Sequence, residues 1–310
     1  MKILAVNISH NASICQVTDG KIDFYLEEDR FNKIKNFHPD HYNETQYISI
    51  KKYASGVYDR VIFSSFDRTV PFKDDSGLRD DKIISDIIKQ IEFKGNYTFN
   101  KKEHHLYHAH SGFHFSKMED AICIVMDGGG AQPYNRPFQE IESIYYLNKK
   151  EKNDKCFYKH LTDSRWLKSY SNKTQRNKVI IDGVEILYSS ECSSGQKFSL
   201  LTSQIGLGSG SESGKTMGLA SYGNMTSKRP EDLAKQLQYT TKWETIKLIR
   251  KAISYTDCKN IVLSGGYALN CVNNYEYVKH FPDYNFFVDP VAHDGGTSVG
   301  AAMWLYKNEQ

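Results

Sequence analysis

Asp120-Ala121-Ile122-Cys123-Ile124-Val125-Met126-Asp127-Gly128-Gly129-Gly130 is where the pattern of this chain begins a second time. The apolar, β-branched run predicts a buried strand, and the Asp and three glycines end it in a turn. The first occurrence opens the chain: Lys2–Ile8 (KILAVNI) closes on the polar turn Ser9-His10-Asn11. Two further strands follow each copy. After the first they are 12–18 and Lys21–Leu26, joined by the hairpin dipeptide Asp19-Gly20. After the second they are Glu140–Leu147 and Cys156–Leu161. The copies share little identity. A strand–turn–strand–strand unit used twice predicts an α/β protein of two matching lobes, residues 1–117 and 118–310, with a cleft between them.

Between the copies stands Glu103-His104-His105-Leu106-Tyr107-His108-Ala109-His110. On a helix, His104 and His108 are four apart and project from one face, so two imidazoles can serve one metal ion. Zinc peptidases with such a pair place a Glu after the first His as general base. Here His105 takes that position, which removes the peptidase reading and leaves His105 to orient a neighbour. His110 and His114 read as ordinary core residues. A carboxylate is needed to complete the site, and Asp294 is the natural one. Two imidazoles and one carboxylate leave coordination positions open, as a substrate-binding centre requires.

Three glycine turns close apolar strands: Asp127–Gly130, Ser264–Gly266 after Asn260–Leu263, and Asp294–Gly296 after Asn285–Val288. Such turns free backbone N–H groups to cradle an anion, and a following helix adds the positive end of its dipole. One alone can be steric; three in order point to a nucleotide cleft. Gly214-Lys215-Thr216 is not a P-loop, because that motif needs glycine where Ser209 stands and no buried strand precedes it.

The chain has 310 residues and a formal net charge of +3. That length can bury a sizeable core, and that charge is too mild to argue for nucleic acid by itself. No apolar run approaches the roughly 18 residues of a membrane span. The six cysteines form no C-x-x-C pair, which suits free thiols in a reducing cytoplasm. The basic segment Lys149–Lys178 reads as a solvated face or as a contact for an anionic acceptor. Helices are expected over Glu27–Lys35, Gln46–Tyr53, Asp80–Phe93, His105–Phe115, Glu231–Tyr255 and Ser298–Tyr306, with Glu27, Glu28 and Arg30 as surface ion pairs. Residues 193–214 read as a Ser/Gly-rich stretch.

Taken together, the histidine run, the Asp127–Gly130 turn, Gly214-Lys215-Thr216-Met217-Gly218-Leu219-Ala220-Ser221-Tyr222-Gly223 and Ser264-Gly265-Gly266-Tyr267-Ala268-Leu269-Asn270 resemble, in the same order, the nodulation-protein and cephamycin-type O-carbamoyltransferases. Ser9–Ser13 and Leu26–Phe31 resemble that family's opening. The resemblance implies a two-lobed actin/Hsp70/sugar-kinase-like fold, related to the tRNA threonylcarbamoyl-transfer domain. It implies transfer of a carbamoyl group from carbamoyl adenylate to a hydroxyl or amine of a small-molecule or nucleotide acceptor. It makes His104, His108 and Asp294 ligands of a divalent metal, iron in the family, and puts His10 beside the carbamoyl group. It makes Asp127, Gly128, Gly129, Gly130, Ser264, Gly265, Gly266 and Asn270 nucleotide contacts for ATP, AMP or the adenylate. Lys215 becomes a catalytic or phosphate contact. Relatives carry a further domain that makes the adenylate, and this chain stops at Gln310. The expectation is therefore either a separate adenylate-forming protein as partner or the use of a related carbamoyl donor. Three readings stay beside this one: a tRNA threonylcarbamoyladenosine-type transferase, a non-catalytic nucleotide-binding module, and a kinase, which Asn7 and His10 in the first turn disfavour.

Overall fold

The computed structural model describes residues 1–39, 46–66, 76–134, 138–163 and 176–310. Its first sheet opens with β1 (Lys2–Asn7), β2 (Ser13–Thr18) and β3 (Lys21–Glu27) as an antiparallel meander. Asp19 and Gly20 both have positive φ, the geometry an Asp-Gly hairpin turn requires. After the short strand β4 (Val57–Tyr58), β5 (Arg60–Ser64) pairs parallel with β1. Past β6 (Glu92–Phe93), β7 (Thr98–Phe99) adds in parallel to β5, giving the order β3-β2-β1-β5-β7.

The second sheet repeats this start and extends it. Its strands are β8 (Asp120–Met126), β9 (Phe138–Asn148), β10 (Lys155–Asp163), β11 (Arg176–Ile181), β12 (Val184–Ser189), β13 (Asn260–Ser264) and β14 (Asn285–Val288). They lie in the order β11-β12-β10-β9-β8-β13-β14. β8 occupies the place of β1, antiparallel to the strand after it and parallel to the strand that joins later.

Period-two alternation explains why β1 and β8 are apolar on both faces. Leu4 and Val6 join one core with Ile83, Ile84 and Ile87, while Ile3 and Ala5 join another with Tyr107, Val299 and Ala302. In β8, Ile122, Ile124 and Met126 face Ile246 and Ile249, while Ala121, Cys123 and Val125 face Leu106, Ala109 and Phe113. Each such aliphatic side chain contributes about 1.5–3 kcal/mol on burial. The helices α1 (Asp29–Asn32), α2 (Ile48–Tyr53) and α3 (Ser76–Ile88) belong to the first half, whose outer core includes Ile50 of α2 and the α3 isoleucines. The long α7 (Pro230–Ile253) packs on the second sheet, beyond α5 (Ser194–Gln204) and α6 (Ser213–Leu219). The remaining helices are α4 (His104–Ser116), α8 (Cys271–His280) and α9 (Gly296–Glu309). α4 and α9 form the layer between the sheets: Tyr107 serves one core, and Leu106 and Phe113 serve the other. They cross closely because Gly300 has no side chain; a Cβ there would collide with the Tyr107 carbonyl.

Several local readings of the sequence are corrected. The helix expected over Asp80–Phe93 ends at Ile88, and Glu92–Phe93 pairs in parallel with Val57–Tyr58. Ile91 and Phe93 still reach the α3 core, so the strand satisfies the same apolar spacing. The Ser/Gly-rich stretch holds α5, started by a capping box between Ser193 and Gln196. Glu28 is not a surface residue. It is fully buried and accepts hydrogen bonds from Ile48 N, Ser49 N and Ser49 Oγ, capping the start of α2. Arg30 is exposed and pairs with Glu27 and Asp29. The basic segment Lys149–Lys178 lies partly outside the described residues. Within them, Lys149 pairs with Glu119 at the surface, but Lys159 is buried against Glu140 at 2.7 Å.

Candidate metal centre and interlobe cleft

Three elements bring one side-chain cluster together. From α4 come His104 and His108, both fully buried, their rings 4.8 Å apart and nearly perpendicular. From the end of β8 comes Asp127. Its Oδ1 accepts a hydrogen bond from Gly266 N at 3.2 Å, and its Oδ2 lies 3.4 Å from His104 Nε2. From the turn before α9 comes Asp294, whose Oδ1 lies 3.9 Å from His104 Nε2 and 3.7 Å from His108 Nε2. The first lobe holds this turn in place. Asn7 Nδ2 donates to the Asp294 carbonyl at 3.2 Å, and Ser13 Oγ to the Gly295 carbonyl at 2.7 Å.

One ligand atom from each of His104, His108, Asp127 and Asp294 lies within 4.8 Å of the others. Both nitrogens of His104, both of His108 and Asp127 Oδ2 are buried without a hydrogen-bond partner among the described residues. Leaving so many polar atoms unmade would cost several kcal/mol. The separations exceed hydrogen-bond length and suit groups that share an ion. Imidazole and carboxylate donors in this ratio fit a divalent first-row metal. The electrostatics agree. Burial pushes the Asp127 carboxyl up, but its imidazole neighbours outweigh this and hold it well below the usual range. Burial likewise opposes Asp294, and His108 helps bring it below its usual value. Burial lowers His104, and the carboxylates of Asp127 and Asp294 overcome that and raise it. Burial drives His105 down to about 4, against the pull of Glu140. Both carboxylates are thus poised as anions.

Asp127 and Asp294 also line a cleft of about 720 Å³. Of the residues singled out in the sequence, His10, Gly128, Gly129, Gly266 and Asn270 line it too. Phe198, Met217, Tyr267 and Leu269 supply an apolar wall, and no Lys or Arg is among the described lining residues. Gly130 lies behind the cleft against the histidines: a Cβ there would sit 2.6 Å from His105 Cδ2 and 3.2 Å from His104 Cδ2. Ser264 is buried and donates to Asp289 Oδ2 at 2.8 Å. Gly265, at φ 86°, passes against the Met126 backbone where a side chain cannot fit. Lys215 is not a lining residue; its ammonium pairs with Glu212 at 2.7 Å and donates to the Leu207 carbonyl.

Sequence reasoning grouped Asp127 with the nucleotide turns and did not join it to the histidines. The available signal was its position at the end of a buried strand. It also missed His293, which lines the cleft and lies 3.4 Å from Glu27. Burial lowers the His293 imidazole, and Glu27 outweighs this and raises it.

Residues 225–303 match the family model described as the carbamoyltransferase N-terminus. The nodulation protein NolNO of Sinorhizobium fredii is 21% identical over 96% of this chain and 46% of its own length. An uncharacterized protein of Synechocystis, sll1178, is 31% identical over 25% of this chain and 13% of its own length. The chain spans less than half the length of these curated relatives. Among solved structures, HypF of T. kodakarensis superposes with a TM-score of 0.60 at 13% identity, covering 99% of this chain and 47% of that one. Full-length HypF in its phosphate- and nucleotide-bound form gives 0.58 at 14% identity, covering 99% and 55%. A ROK family protein from Streptococcus pneumoniae in complex with sucrose gives 0.50 at 13% identity, covering both chains fully. At these identities the superpositions speak for the fold alone, the two-lobed actin/Hsp70/sugar-kinase-like α/β architecture. The chain is thus similar to the carbamoyltransferase N-terminus over residues 225–303 and to NolNO along nearly its whole length.

Proposed function

We propose that this chain transfers a carbamoyl group from carbamoyl adenylate to a hydroxyl or amine of a small-molecule or nucleotide acceptor, with help from a divalent metal. The observation that carries the reading is the convergence of His104, His108, Asp127 and Asp294 at the wall of a cleft lined by two glycine turns. Residues 1–117 and 118–310 are taken as the two lobes, and the cytoplasm as the compartment. Among the described residues no helix is long and apolar enough to cross a membrane.

His104, His108, Asp127 and Asp294 would hold the ion. Bound there, it would supply positive charge to the phosphate and carbamoyl oxygens as negative charge develops. The turn at Gly128-Gly129 would offer backbone N–H groups to the phosphate, whereas the Gly266 N–H is engaged by Asp127. Among the described lining residues there is no Lys or Arg, so backbone supplies the anion donors there. Phe198, Met217, Tyr267 and Leu269 would take the adenine, while the Asn270 side chain is held by Gln238 and caps α8. The acceptor oxygen or nitrogen bonds to the carbamoyl carbon, the bond from that carbon to the phosphate oxygen breaks, and AMP leaves. His10 accepts the proton released by the acceptor. Lys215 has no step in this account, because its ammonium is engaged outside the lining residues.

The test is incubation with ATP, carbamoyl phosphate and an adenylate-forming partner, followed by mass spectrometry of sugar and nucleotide pools. A mass gain of one carbamoyl group, lost in His10→Ala, is the expected result. ADP production without any carbamoylated product would replace this reading with phosphoryl transfer.

A further inference from the structure

His105 carries an orphaned atom of its own. It is fully buried, and its Nε2 has no partner among the described residues. Its other nitrogen ends a chain of buried polar groups on the second sheet. Lys159 Nζ donates to Glu140 Oε1 at 2.7 Å and to Tyr145 OH at 3.1 Å. Ser143 Oγ donates to the same Glu140 oxygen at 2.5 Å. His105 Nδ1 lies 2.9 Å from Ser143 Oγ and 3.6 Å from Glu140 Oε1.

The geometry fixes where the protons are. A carboxylate paired with an ammonium can only accept. The Ser143 hydrogen therefore points at Glu140. A hydroxyl has one hydrogen, so toward His105 it can only accept. Nδ1 must then carry a hydrogen. The Nε2 edge of the ring lies against Gly130, where a Cβ would come within 2.7 Å of that nitrogen, and beside His104, whose ring centroid is 5.9 Å away.

We propose that Lys159, Glu140 and Ser143 hold a hydrogen on His105 Nδ1, and that His105, its ring orientation fixed by that bond, acts as a positioning residue for the metal centre. A ring fixed in this state packs against Gly130 and His104 and keeps His104 Nε2 turned toward Asp127 and Asp294. This inference rests on the metal reading of the cluster. Outer groups that orient metal-binding histidines are typically worth roughly 10–100-fold in affinity.

The test has two readouts. Nitrogen-15 NMR of the histidine-labelled, metal-free protein is expected to show His105 protonated at Nδ1. In Ser143→Ala that preference is expected to be lost. Calorimetric titration with Mn(II) alone is expected to show Ser143→Ala binding about 10–100-fold more weakly than wild type. Ser143→Thr, which keeps the hydroxyl, is expected to restore affinity. His105 protonated at Nε2 alone in the wild type, or Ser143→Ala binding Mn(II) as tightly as wild type, would overturn the proposal. Failure of the wild type to bind Mn(II) would instead remove the metal reading, and this inference with it.

Discussion

The Asp127 carboxylate and the His104 imidazole, carried by the end of a strand of the second sheet and by the helix between the lobes, meet at 3.4 Å. The contact joins two parts of the sequence that look like separate motifs. It also links the cleft, which Asp127 lines, to the buried face of α4.

Gly130→Ala should disturb that face directly. The new methyl would lie 2.6 Å from His105 Cδ2 and 3.2 Å from His104 Cδ2. We expect overpacking to cost about 1–3 kcal/mol in denaturant unfolding, together with weaker Mn(II) binding. Unchanged stability and affinity would mean that the backbone yields there freely.

Glu28→Gln should destabilise the first lobe. Glu28 is buried and receives three hydrogen bonds from Ile48 and Ser49 at the start of α2. A neutral amide offers one accepting oxygen, and we expect a loss of about 1–3 kcal/mol. Chemical denaturation of the metal-free protein measures it. An exposed ion-pair residue would change stability by only a few tenths of a kcal/mol.

A pH-dependent contribution should come from Asp154. Its Oδ2 lies 2.8 Å from His110 Nε2 on α4, and its Oδ1 receives Lys307 Nζ of α9 at 2.6 Å. Burial raises its carboxyl, but these partners outweigh burial and depress it below the usual value. A depressed carboxylate stabilises the fold above its unfolded value of about 3.9, and that contribution vanishes as pH falls through the folded value. Asp154→Asn should therefore cost about 2 kcal/mol near neutrality. The gap between variant and wild-type melting temperatures should close only in strong acid. A gap that stays constant between pH 7 and strong acid would show that packing, not charge, is at work.

The strands were legible where apolar residues ran unbroken, as in Ala121–Met126, because both faces of those strands are covered. The hairpin of β11 and β12 was not foreseen, although its Asp182-Gly183 turn has the positive φ values that this dipeptide favours. The charged residues were the least legible. Lys159 and Glu28 sit among other charges in the sequence, and only the fold decides which charge meets a buried partner. Asp127 escaped for a related reason: spacing along one helix can pair His104 with His108, but no local period connects a helix to the end of a strand. Lys215 shows the converse, a residue whose motif drew attention and whose ammonium turns to Glu212.

The central claim is that His104, His108, Asp127 and Asp294 hold one divalent ion between them. Calorimetric titration of the wild type, His108→Ala and Asp127→Asn with Mn(II) tests it most directly, with circular dichroism to confirm that each variant is folded. The account predicts one ion per wild-type chain and an affinity loss in each variant larger than the roughly 10–100-fold typical of outer-shell changes. Folded variants that bind Mn(II) with wild-type stoichiometry and affinity would contradict it.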